Sequence, residues 1–152
     1  MTPLFKKLNL SNHQTILISE APKSFEPELE ALEGIVIQRS MKRVASISFA
    51  LYFVQTLTAV SEAATTLSKA PGDPVIWFAY PKSTSKHLKC EFNRDQGWEA
   101  LGKAGFEGVR QVAIDADWSA LRFRRVEHIK TLKRAPSFTL TEEGKRRTSR
   151  RS

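Results

Sequence analysis

The chain has 152 residues, 41% of them hydrophobic, with 24 Lys+Arg against 16 Asp+Glu and a net charge of +8 at pH 7. One domain of that length buries a sizeable core, whereas two would each be marginal. A single cysteine, Cys90, excludes a disulfide-built fold, and the composition excludes a collagen-like or wholly disordered chain. Thr2-Pro3 caps a first short helix, with Pro at the first helical position and Leu4, Phe5 and Leu8 on the apolar side. Residues 15–19 are a short β-type run that stops at Ala21-Pro22. Glu26, Glu28 and Glu30 around Pro27, followed by Gly34, describe a helix over 26–33. Residues 35–38 form a minor strand. Residues 47–54 are apolar at nearly every position, as in a strand covered on both faces of a parallel sheet. Leu57, Val60, Ala64 and Leu67 then recur at helical spacing, which predicts an amphipathic helix over 57–69, ended by Pro71-Gly72-Asp73-Pro74. Val75-Ile-Trp-Phe-Ala-Tyr80 is a second buried strand. A loop of mixed character spans 81–95, and a short helix over 96–104 stops at Gly105.

Residues 109–115 and 119–126 read as two strands joined by a tight turn at Ala116-Asp117. A two-residue turn sets Val112 opposite Leu121 and Arg110 opposite Phe123, with Gln111 facing Arg122 and Val109 facing Arg124 on the other side. Strand 119–126 is then a sheet edge, where Arg122, Arg124 and Arg125 discourage edge-to-edge pairing. The order of elements predicts an α/β fold: a Rossmann-like three-layer sandwich, mainly parallel, with a C-terminal antiparallel hairpin. One domain is expected over 1–128, with a basic tail over 129–152.

The charge is concentrated in that tail. Residues 1–128 hold 16 basic and 14 acidic side chains, whereas 129–152 hold eight and two. The eight are Lys130, Lys133, Arg134, Lys145, Arg146, Arg147, Arg150 and Arg151. A basic segment on a balanced body is a candidate polyanion contact, RNA or DNA above all, and equally a solvated tail that aids solubility. Residues 1–10 lack the pattern of a signal peptide. The 18 uncharged residues over 44–61 include Ser46, Ser48, Gln55, Thr56, Thr58 and Ser61 and divide better into a strand and a helix than into a membrane span. A cytoplasmic location without a membrane partner is expected.

The search for chemistry excludes more than it finds. Open parallel sheets bind ligands beyond the C-terminal ends of their strands. Residues 19–25 contain no glycine, so the turn after the first strand is unsuited to a dinucleotide, and no cofactor is expected. Gly97-Trp-Glu-Ala-Leu-Gly-Lys103 fits G-x-x-x-x-G-K on paper, but Ala104 follows where a phosphate loop needs Ser or Thr, and the segment looks helical. His87, Cys90 and Asp95 fall short of the ligand set of a structural zinc site, and no metal is expected. Asp115 and Asp117 are a carboxylate pair at a strand end or, more simply, turn formers. Trp118 either packs in the core or lines a pocket beside Asp115. The best anion-site candidate is the loop after the aromatic strand, Lys82-Ser-Thr-Ser-Lys86, with Lys82, Thr84, Lys86 and Arg122 as ligands and with Lys89, Arg94 and Arg124 able to add to it.

Asp73-Pro-Val-Ile-Trp-Phe-Ala-Tyr-Pro-Lys82, Gly97-Trp98 and Ala116-Asp-Trp-Ser-Ala-Leu-Arg122 resemble the short Rossmann-like bacterial proteins grouped as domain of unknown function family 3052, over about residues 10–127. The resemblance implies a cytoplasmic α/β protein without an established catalytic site and with a regulatory or adaptor role. Some relatives carry paired cysteines suited to redox sensing. With Cys90 alone, an intramolecular disulfide switch does not carry over. Three expectations follow: a non-enzymatic module that binds another protein, nucleic-acid association through the basic tail, or a small-anion binder or enzyme at the strand ends. The first requires nothing that the sequence lacks and leads.

Overall fold

The computed structural model describes residues 2–40, 48–70, 72–93 and 96–129. Helix α1 (Pro3–Lys7) starts as its residues dictate: Pro3 opens it and the Thr2 hydroxyl accepts from the Phe5 N–H. Strand β1 (Thr15–Ser19) leads to a 3-10 turn at Lys23–Phe25 and helix α2 (Glu26–Glu30), shorter than the expected 26–33. Strands β2 (Val36–Gln38) and β3 (Phe49–Phe53) follow, then α3 (Leu57–Leu67), capped by the Thr56 hydroxyl, and β4 (Val75–Pro81). Helix α4 is only Glu99–Lys103 and not 96–104, because Asn93 and Gln96 form a bridge that delays its start. Strands β5 (Phe106–Ala113) and β6 (Trp118–Arg125) close the domain.

The six strands form one sheet in the order β2-β1-β3-β4-β6-β5. The first four are parallel, and β6 is inserted antiparallel between β4 and β5. The edge is therefore β5, and β6 is interior, which corrects the edge position expected for 119–126. The predicted hairpin register is also corrected. Four residues, 114–117, connect the strands, so Val112 lies opposite Ala120, Gln111 opposite Leu121 and Arg110 opposite Arg122, and a bulge at Val109 shifts the pairs before it, with Gly108 opposite Phe123. The extra residue moves Phe106 and Val112 to opposite faces of the sheet.

Two apolar layers sandwich the sheet. On one face α3 and α4 bury Val60, Ala64, Leu67 and Leu101 against Tyr52, Phe78 and Phe123. On the other, α1 and α2 bury Phe5, Leu8 and Leu29 against Phe49, Leu51 and Trp77. Every residue of β3 is buried, as a central parallel strand requires. Arg125, expected to guard an edge, instead donates to the Leu67 and Ala70 carbonyls at the C-terminus of α3 and lies 4.9 Å from the Phe106 ring centre. The Leu67 carbonyl also accepts from the Ala70 N–H at 3.0 Å, and a cation there meets the negative end of the helix.

Tyr52 stacks on Phe78 at 5.0 Å, and its buried hydroxyl has no hydrogen-bond partner among the described residues. Burial pushes its pKa up to about 12. Tyr52→Phe keeps the ring and removes the orphaned polar atom, so it should stabilise the fold by about 1 kcal/mol in urea titrations. A variant weaker than the wild type would mean that the hydroxyl is satisfied.

Candidate functional site

Strands β1, β3, β4 and β5 all end on one edge of the sheet, where β6 begins. Two loops build that edge. The first, 82–91, is tied down at both ends. The Lys82 N–H donates to the Asp117 carbonyl at 2.8 Å, and the Ser85 hydroxyl donates to Asp117 Oδ1 at 2.8 Å. Ser85 Oγ also accepts from the N–H groups of His87 and Leu88. At the far end Gln55 Nε2 donates to the Lys89 carbonyl, and Glu91 Oε1 accepts from the Leu57 N–H at the start of α3. The second loop is the hairpin turn. Asp115 Oδ1 accepts from the N–H groups of Asp117 and Trp118, both at 2.8 Å. The carboxylate is engaged by local backbone, the usual work of Asp in a turn.

Between these loops and the α4 side of the sheet lies a cleft of about 800 Å³. Its polar lining is Lys82, Ser83, Thr84, Lys89, Asn93 and Gln111, with Ser119 and Cys90, over an apolar floor of Tyr80, Pro81, Leu88 and Phe92. Gln111 Nε2 donates to the Tyr80 hydroxyl at 3.0 Å, which fixes one wall. Trp98 Nε1 donates to the Asn93 carbonyl at 2.9 Å, which fixes another. Burial pushes the Cys90 thiol up, an effect the Phe92 backbone only partly opposes, so the sulfur is a neutral thiol near pH 7 and not an activated thiolate.

Of the anion ligands expected from sequence, Lys82 and Thr84 line this cleft, and Lys86 does not. Trp118 is 5% exposed and packs edge-on against Phe53 at 5.1 Å, on the α1 side of the sheet. Arg122 lies opposite Trp77, well down β4 from Lys82, and is grouped with Arg110 and Arg124 instead. Sequence reasoning missed Gln111 and Ser119: the longer turn sets Gln111 opposite Leu121, and the β4–β6 pairing sets Ser119 opposite Tyr80. Arg94, Asp95 and the basic tail residues from Lys130 to Arg151 lie outside the described residues. Among the described residues no group of three metal-ligating side chains comes together. Nor is any described helix long and apolar enough to cross a membrane.

The chain matches no family model and no curated protein. Among solved structures it is similar to a SAM-dependent methyltransferase from Aquifex aeolicus, with a TM-score of 0.57 at 10% identity over 81% of this chain and 88% of that one. A protein in the NADB-Rossmann superfamily from Streptococcus agalactiae is matched with a TM-score of 0.46 at 8% identity, over 82% and 68% of the two chains. The fold is Rossmann-like. At such identities the likeness is one of architecture alone. A dinucleotide in this architecture sits on a glycine-rich turn after the first strand. Here that turn is Ser19-Glu20-Ala21-Pro22. Glu20 adopts φ 59, the left-handed conformation that glycine supplies most cheaply, yet it carries a carboxylate, and Pro22 has no N–H to offer. These residues do not fit an anionic pyrophosphate.

Proposed function

We propose that the protein is a non-enzymatic α/β module that binds a small anionic ligand in the cleft at the ends of β4 and β6. The observation that carries this reading is the lining itself. Two lysines, Lys82 and Lys89, line one concave space together with Ser83, Thr84 and Gln111. The set is rich in hydrogen-bond donors, which suits phosphate or carboxylate oxygens. The carboxylates of the two bounding loops, Glu91, Asp115 and Asp117, each accept hydrogen bonds from their own surroundings, which favours binding over proton transfer. Ligand binding across two loops that meet at Asp117 also suits a regulatory role, since it would change the surface offered to another protein.

A thermal-shift screen with nucleotides, acyl phosphates and dicarboxylates tests the reading. A ligand at a hundred times its Kd stabilises the fold by about 2.7 kcal/mol, which at this chain length raises Tm by roughly 5–10 °C. Lys82→Gln with Lys89→Gln should weaken that ligand at least about tenfold, because a charge-assisted hydrogen bond is worth about 1.5–3 kcal/mol. No shift with any anion, or full affinity in the double variant, would sink the proposal.

A further inference from the structure

The face of the sheet opposite the cleft carries a second basic feature. Helices α1 and α2 cover β1, β3 and β4 there, and the β5–β6 hairpin lies beyond them. On this face Arg110 and Arg122 lie directly opposite one another, and Arg124 stands two residues further along β6. Arg124 is committed to Asp73, which it grips through Nε at 3.0 Å and a terminal nitrogen at 2.7 Å. Arg122 is half-buried, and its buried Nε has no hydrogen-bond partner among the described residues. Arg110 is exposed. Among the described residues, Asp73 is held by Arg124, and Glu107 is fully buried opposite Arg124. Like charges directly opposite on a sheet are destabilising, and guanidinium does not discharge near neutral pH. An anion from outside the domain relieves that repulsion.

We infer that the Arg110–Arg122 face binds the phosphodiester backbone of a nucleic acid. Guanidinium matches phosphate oxygens two at a time, and two cations side by side suit a ligand with repeating charge. The sequence after the described residues is also basic: residues 130–152 hold eight basic side chains to two acidic ones. An acidic protein segment would rely on apolar anchors as well as charge. The tryptophans of this face, Trp77 and Trp118, are buried. They offer bases no stacking platform, so recognition is of the backbone and indifferent to sequence. This site is separate from the cleft and stands or falls without it.

Fluorescence anisotropy of the full chain with labelled single-stranded RNA and duplex DNA, over a salt series, tests the inference. Arg110→Gln with Arg122→Gln should weaken binding about tenfold and flatten the log–log salt slope by about two, one for each lost phosphate contact. Removing a half-buried cation from beside another should leave the melting temperature no lower. Arg110→Glu, at an exposed position, repeats the test should the double variant fold poorly, and should also weaken binding. A chain ending at Lys133 should lose further affinity while keeping the contribution of the two arginines. Unchanged affinity and slope in the arginine variants would overturn the inference, whatever the truncation does. So would capture of poly-glutamate without any binding of nucleic acid.

Discussion

Gly97→Ala is expected to lower stability by about 3 kcal/mol or more and to damage the cleft at the same time. Gly97 sits at φ +98, where an L side chain is strained. A Cβ there would meet Phe92 Cβ at 2.3 Å and Phe92 Cγ at 2.9 Å, with Leu57 Cδ2 at 3.2 Å. The first of these is the root of a side chain and cannot swing away, so backbone must move. The backbone that moves belongs to the cleft wall, since Phe92 and Asn93 line it and the Trp98 indole holds the Asn93 carbonyl. Gly34 and Gly72 supply the control. Both have positive φ, at +70 and +77, but nothing lies within 4 Å of the added atom. Alanine at those positions should cost only about 1 kcal/mol from backbone strain. In thermal melts the contrast is roughly 10 °C for Gly97→Ala against about 3 °C for either control. Equal shifts at all three positions would mean that strain alone, not the approach of Phe92, explains the glycine.

The same glycine shows what could be read from sequence and what could not. As part of G-x-x-x-x-G-K it imitates a phosphate loop, and the missing hydroxyl at Ala104 was enough to reject that motif. The fold places Gly97 against Phe92 and buries Gly102 inside α4, so both glycines serve packing. The parallel core was legible because its signal is local. Continuous apolar runs at β3 and β4, and helical spacing in α3, each lie within one element. Thr2-Pro3 and Asp115 were equally legible as cap and turn residues. The hairpin register was not, because one bulged residue at Val109 and two extra turn residues are invisible to a pattern of alternation. With the predicted register Arg122 faced Gln111, whereas the true register sets it against Arg110. Its separation from Lys82 follows from the β4–β6 pairing, which puts Arg122 opposite Trp77 and was equally invisible in the sequence. Long-range partners were also beyond reach: nothing in the sequence marks Asp117 as the acceptor for Ser85, 32 residues away.

Trp77→Ala should cost about 3–5 kcal/mol, a large part of the 5–15 kcal/mol that holds a typical domain together. The indole is fully buried in β4, and its Nε1 donates to the Leu8 carbonyl at 2.8 Å, just past the end of α1. Helix α1 has five residues, too few to be stable by itself, so its place depends on what Phe5, Leu8 and Trp77 bury together. Truncation opens a cavity and leaves the Leu8 carbonyl without its donor. Trp77→Phe fills most of the cavity and should cost less than half as much, chiefly the lost hydrogen bond and the smaller ring. Urea titrations of the two variants separate these terms, and amide exchange should show α1 released in the alanine variant. The cleft lies on the other face of the sheet, with Tyr80, Gln111 and Ser119, so Trp77→Phe should leave anion binding there intact. The arginine face is different: Trp77 lies opposite Arg122 across the β4–β6 pair. Trp77→Phe should therefore change nucleic-acid binding, if it changes either, and not the cleft. Loss of cleft binding in a folded Trp77→Phe protein would refute the separation of the two faces.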